Sequence, residues 1–205
     1  MRNITITGDV DKRILVYPLA RALSILGKTV IVTDDGSVKR LYHGLSNMGM
    51  CSGVGIIVAP SLDDGTDKCI DNFGETFVNR IYMGNNFIKA DSAVIIKCHG
   101  VDKSLKREQY ICSDEVSEES LNDEFITDVT LTVTKPRQKV DNCIKISSTD
   151  LVNLAHMEEC KELMVFNNKQ VNTFLAKKTA KMTGMPESEW MKVFTRKQYV
   201  TKKGD

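Results

Sequence analysis

The chain has 205 residues, a formal net charge of +1, 41% hydrophobic and 27% charged residues. That is the balance of an ordinary globular domain, large enough to bury a core without staples. The near-zero charge excludes a general electrostatic pull toward nucleic acid or membrane, and no apolar run approaches the about 20 residues of a membrane span. The first strand signal is Asn3 to Thr7, where Ile4 and Ile6 alternate with polar residues. The turn GDVDKR follows, then a helix with Ile14, Leu15, Leu19, Ala22, Leu23 and Leu26 at helical spacing. Gly27 is expected to stop that helix as a left-handed C-terminal residue. Pro18 either bends the helix or moves its start toward Tyr17.

Thr29 to Thr33 (TVIVT) reads as a buried strand ending in Asp34, Asp35 and Gly36, with a short helix through Val38, Leu41 and Leu45 behind it. MGMCSG reads as a flexible segment and Gly53 to Pro60 as the third strand. SLDDGTD is a polar loop at that strand's end. Thr76 to Met83 fits either a strand or a short helix. Ala93 to Lys97 (AVIIK) is a core strand, Asp128 to Thr134 a strand with one wet face, and Cys143 to Ser147 another strand. From Thr149 the pattern turns helical. Ser148 or Thr149 caps a helix bearing Leu151, Leu154, Ala155 and Leu163. Asn168 to Met182 carries Val171, Phe174, Leu175 and Ala180 with lysines opposite, and Pro186 opens a short helix with Trp190, Met191 and Phe194. Strands alternating with helices imply an α/β fold, a mostly parallel sheet with helices on both faces and a helical C-terminus. We divide it into an α/β domain at 1–165 and a helical segment at 166–205, packed on that domain or extending from it.

The six cysteines (Cys51, Cys69, Cys98, Cys112, Cys143, Cys160) form no C-x-x-C pair, so no metal site is expected. With no signal-peptide pattern at the start, the expected location is a reducing cytoplasm. Charge is uneven locally: Ser113 to Asp128 is acidic and Lys192 to Lys203 basic, both read as solvated surface.

The opening strand–turn–helix–strand holds the features of a broken phosphate loop. A working loop needs glycines that let backbone amides wrap the phosphates, a lysine for the β and γ oxygens, and a Ser or Thr hydroxyl for Mg²⁺. Gly8 and Lys12 stand at the right offsets. Asp9 and Asp11 replace two glycines, and Arg13 stands where the hydroxyl belongs. On these residues the chain resembles the deviant Walker ATPases of the MinD/ParA class, whose loop reads K-G-G-x-G-K-[ST] before a helix, a strand and an acidic turn. Aligned on the lysine, Gly8 matches the first paired glycine, Lys12 the loop lysine and Asp35 the second acid of the turn. Thr7 stands near the place of the signature lysine. The resemblance covers about the first sixty residues. It implies a P-loop NTPase-like fold and, through the degraded loops of the CpaE/TadZ proteins, a pseudo-ATPase that dimerises and positions protein partners of a larger assembly.

Two carboxylates within about 4–6 Å of a triphosphate would repel it by several kcal/mol, so we expect no catalytic residues and no bound cofactor. Asp9 or Asp11 pairing with Lys12 or Arg13 would fill the loop from within. The alternatives are a plain Rossmann-like turn, a slow ATPase that uses ATP and Mg²⁺ and touches DNA through Lys177 and Lys178, or a small enzyme using Asp35, Asp63 and His99. Adjacent strand residues such as Cys98 and His99 face opposite ways, which argues against a direct dyad. Asp63 and Asp64 read as a solvated turn, His43 and His156 as ordinary surface or satisfied histidines.

Overall fold

The computed structural model describes residues 1–8, 10–63, 65–100, 109–111, 126–128, 131–133 and 144–195. Asp9, Asp64, Cys112, Cys143, most of the acidic segment and the basic tail beyond residue 195 lie outside the described residues. Among the described residues no helix is long and apolar enough to cross a membrane.

The fold is α/β. In chain order the elements are β1 (Arg2–Gly8), α1 (Arg13–Leu23), β2 (Thr29–Thr33), a 3₁₀ turn (Gly36–Leu41), β3 (Met48–Cys51), β4 (Val54–Val58), α2 (Thr66–Asp71), β5 (Asn79–Gly84) and β6 (Ser92–Gly100). There follow β7 (Gln109–Ile111), β8 (Ile126–Asp128), β9 (Leu131–Val133), β10 (Ile144–Ile146), α3 (Ser148–Cys160), α4 (Lys169–Thr183) and α5 (Glu187–Thr195). The central sheet runs β3-β4-β2-β5-β1-β6 and is parallel except for edge strand β3. Beyond β6 lie β8, parallel to it, and the short series β7, β9 and β10.

Strand alternation divides the core in two. Ile4, Ile6, Ile31, Ile81 and Ile96 join α1 and the C-terminal helices in one large apolar cluster, while Val30, Val32, Ile57 and Tyr82 meet Ile70 of α2 on the other face. Helix α1 is buried almost all round, from Ile14 to Ala20 and again at Ala22 and Leu23, because sheet and C-terminal helices enclose it. Val171, Leu175, Trp190 and Phe194 share the same cluster as Ile4 and Ile14, so the last helices and the sheet have one core.

Several local expectations change. Helix α1 runs through Pro18 from Arg13, without the later start near Tyr17. Gly27 is no left-handed cap: the helix ends at Leu23, Ser24 caps it in right-handed conformation, and Gly27 instead lets Val78 pack close. The segment read as flexible contains β3, held antiparallel on β4. The ambiguous stretch before Gly84 is a strand, β5, and a central one. The expected short helix is a 3₁₀ turn, with Leu45 exposed beyond it. Asp128 to Thr134 contributes to two strands, β8 and β9, rather than one. Ser147, not Ser148 or Thr149, caps α3, in a reciprocal capping box with Asp150. The inward face of α3 carries Asp150, Leu154, Met157 and Glu158; Leu151 and Ala155 face outward, and Leu163 is buried beyond the helix end.

The connection from β5 to β6 is short. Parallel strands usually need a crossover of a dozen or more residues, yet only residues 85–91 join these two. Extended chain at about 3.3 Å per residue can retrace a strand of this length, and the segment crosses the second face over β1: Lys89 N–H donates to Thr5 Oγ1 at 3.2 Å. Phe87 packs on Tyr82 with ring centroids 5.8 Å apart. Asp67 fastens the crossing, accepting from Lys89 Nζ at 2.8 Å and Tyr82 OH at 2.8 Å, with Arg80 at 3.7 Å.

Burial alone would raise the Asp67 pKa, but the bonds from Lys89 and Tyr82, reinforced by the Lys89 and Arg80 charges, outweigh it and hold the carboxyl below its usual value. A depressed carboxyl contributes stability that is present above the unfolded pKa, about 3.9, and is lost as pH falls through the folded one. Urea denaturation of Asp67→Asn should therefore show a deficit against wild type at neutral pH that shrinks on acidification. A deficit of constant size down to about pH 2 would contradict this.

Candidate functional site

Parallel α/β sheets place ligands beyond the C-terminal ends of their strands. Here a cleft of about 540 Å³ opens at those ends of β1, β2, β4 and β5, lined by Val10, Asp11, Lys12, Arg13, Asp34, Asp35, Pro60, Met83, Gly84 and Asn85. The loop after β1 and the acidic turn after β2 thus meet in one place, although β5 separates their strands.

The loop starts at Gly8, which adopts φ +128° with the Cys98 carbonyl of β6 where a Cβ would sit. Gly8 N–H donates to Asn85 O at 2.9 Å. Val10 is buried in the core and draws the loop inward. Asp11 then turns back on the start of α1. Its Oδ1 accepts from Arg13 N–H at 3.1 Å and from Arg13 Nε at 2.9 Å, and its Oδ2 accepts from Arg13 Nη2 at 2.7 Å. A helix N-terminus with a neighbouring guanidinium is a ready anion site, and the anion in it is the chain's own carboxylate. The internal pairing anticipated for this loop is present between Asp11 and Arg13.

Lys12 is buried, and its ammonium is caged. Nζ donates to Gly8 O at 2.5 Å, Val10 O at 2.9 Å and Asn85 Oδ1 at 3.0 Å. An ammonium has three protons, so each is engaged within the protein. Burial depresses the Lys12 pKa; Cys98, Asp11, Asp35 and Asp34 push it the other way without cancelling the burial.

Arg13 also reaches α3. Its Nη1 donates to Glu158 Oε1 at 2.6 Å, which accepts from Tyr17 OH at 3.1 Å; Arg40 approaches Glu158 Oε2 at 3.7 Å. Hydrogen bonding to Asp11 is the main cause that raises the Arg13 pKa, while burial followed by the Glu158 charge raises that of Tyr17. One carboxylate from α3 thereby ties together the loop, α1 and the segment after the acidic turn.

The other predicted residues fall as follows. Asp35 is exposed and accepts from Ser37 N–H at 2.8 Å, capping the 3₁₀ turn. Asp63 organises its own turn, accepting from Gly65 N–H at 2.8 Å and Ser61 Oγ at 3.0 Å. Asp9, Asp64 and the side chain of His99 lie outside the described residues. His156 and Cys160 sit together on the exposed side of α3, Sγ to Nε2 3.5 Å. Lys177 is exposed on α4, whereas Lys178 is half-buried with Nζ 5.8 Å from the Phe174 ring centroid. No group of three or more His, Cys, Asp or Glu among the described residues could hold a metal ion.

Two participants escaped the sequence reading. Asn85 closes the cage around Lys12, and its place follows from β5 being a strand that ends beside β1. Glu158 carries no local signal; only the rotation of α3 selects it over Glu159.

Compared with family models, with curated proteins and with solved structures, the chain matches none.

Proposed function

We propose that this protein is a non-catalytic relative of the phosphate-loop NTPases, a scaffold or positioning factor that dimerises and recruits protein partners to a larger assembly. The observation that carries this reading is the Asp11 carboxylate seated on the first helical amide of α1 and chelated by Arg13. That is where a phosphate oxygen would be received. The residues do not fit Mg²⁺-ATP. Phosphoryl transfer in this class holds Mg²⁺ with a loop hydroxyl and an acid at the end of a neighbouring strand. Here Arg13 replaces the hydroxyl, and neither neighbour of β1 ends in an acid: β5 runs out through Met83, Gly84 and Asn85 and β6 through Lys97 and Cys98, while the cleft acids Asp34 and Asp35 follow β2, one strand further away. With its cations satisfied internally, the cleft keeps its shape without nucleotide, which suits a fold retained for binding proteins.

The test is a thermal-shift titration with Mg²⁺-ATP alongside a phosphate-release assay. The scaffold reading expects no ATP-dependent stabilisation and no phosphate above background. A saturable shift with steady release would instead assign a slow ATPase. In the scaffold reading, the triple variant Asp9→Gly, Asp11→Gly, Arg13→Thr gains a nucleotide-dependent shift, at a cost in stability from stranding Glu158.

A further inference from the structure

Lys12 and the strand end opposite it form a contact that the loss of loop glycines does not require. Asn85 meets the loop with two oxygens. Its backbone carbonyl accepts Gly8 N–H at 2.9 Å and Thr7 Oγ1 at 2.8 Å, and its side-chain Oδ1 accepts Lys12 Nζ at 3.0 Å. The carbonyl contact continues the β1–β5 ladder past the Thr7–Gly84 pair, and any residue could supply it. The side-chain contact is particular to Asn85.

We propose that Asn85 is a positioning residue that holds Lys12 down in the loop, an autoinhibitory contact that stands in for the oxygen of a small polyanion. The inference rests on reading the cleft as a displaced phosphate site. Its physical basis is the donor inventory of the lysine. Gly8 O and Val10 O belong to the loop itself and move with it. Asn85 belongs to another strand end and anchors the ammonium across the mouth of the cleft. Asn85 is itself exposed, so removing Oδ1 turns one proton of the buried ammonium toward the open cleft, to be met there by water or by an anion. An oxygen kept at the same place preserves the clasp, so a carboxylate at position 85 is the conservative control.

The experiment compares wild type, Asn85→Ala and Asn85→Asp in two ways: the rate at which acetic anhydride acylates Lys12, mapped by mass spectrometry, and the affinity for inorganic pyrophosphate at low salt. Asn85→Ala is expected to raise Lys12 acylation and pyrophosphate affinity each by roughly tenfold, the worth of one hydrogen bond to a charged group. Asn85→Asp is expected to match or undercut wild type in both. Should the Ala variant not fold, Asn85→Ser, which shortens the side chain and removes the amide oxygen, carries the same expectation. Equal acylation and equal affinity in folded wild type and Asn85→Ala would overturn the proposal. Running Mg²⁺-ATP against wild type in the same series separates the two claims. ATP binding by wild type overturns the scaffold reading, whereas an ATP-blind wild type with an unresponsive Asn85→Ala overturns only the role of Asn85.

Discussion

Replacing Gly8 with alanine should abolish the native fold or cost more than about 4 kcal/mol, against the 5–15 kcal/mol that holds a typical domain together. Two causes add. At φ +128° an L side chain is strained, on the order of 1–3 kcal/mol. The added Cβ would also coincide with the backbone carbonyl of Cys98. A backbone carbonyl cannot swing aside as a flexible side chain can. Relief therefore requires parting β1 from β6 at the Gly8–Cys98 pair, the last of that ladder, between strands that both have further neighbours. Gly36→Ala is the internal comparison: its Cβ would meet nothing within 4 Å, and its stability should stay within about 0.5 kcal/mol of wild type. Urea denaturation of the two variants measures the contrast. A Gly8→Ala protein as stable as Gly36→Ala would show that β1 does not leave the sheet in this way.

The second large effect is expected at Glu158. Removing one partner of a buried ion pair leaves an uncompensated charge and typically costs about 3–5 kcal/mol. The Glu158 side chain is 7% exposed and that of Arg13 21%. Asp11 still chelates Arg13 in the variant, so we expect Glu158→Ala near the lower end, about 3 kcal/mol. The mutation also leaves the Tyr17 hydroxyl without its acceptor. Glu189→Ala breaks the exposed pair with Lys192 and should cost no more than a few tenths of a kcal/mol. A Glu158→Ala loss as small as that of Glu189→Ala would mean that α3 and the loop are not energetically joined.

How far these features were legible follows from what each residue contacts. β1, β2, β4 and β6 are written in apolar runs or alternation because their side chains meet apolar partners on at least one face. β5 was ambiguous because Asn79 and Arg80 interrupt its pattern. Asn79 satisfies backbone carbonyls at the foot of the sheet, through Leu23 O at 3.2 Å, and Arg80 faces the polar network around Asp67. Such partners are distant in sequence and leave no periodic trace. β3 gives weak strand signals because it is built of glycine and methionine, and among the described residues its pairing comes from β4. An ion pair inside the loop was legible because acids and bases lie close together there, within one turn of a helix start, but which acid meets which base was not. Glu158 was not, since its partners are about 140 residues away and α3 buries two acids along with two apolar side chains. The outward turn of Leu151 has the same origin: the capping box fixes the helix start at Ser147 and with it the rotation of every later residue.

The most direct test of an internally satisfied loop is nuclear magnetic resonance of the labelled protein during titration with Mg²⁺-ATP to about 1 mM, a level at which even weak binding of about 4 kcal/mol is half saturated. The Gly8 and Arg13 amides and the Lys12 side chain are predicted to keep their positions throughout. A saturable movement of those three signals together would mean that nucleotide displaces Asp11 and Asn85 from the loop, and would contradict the account.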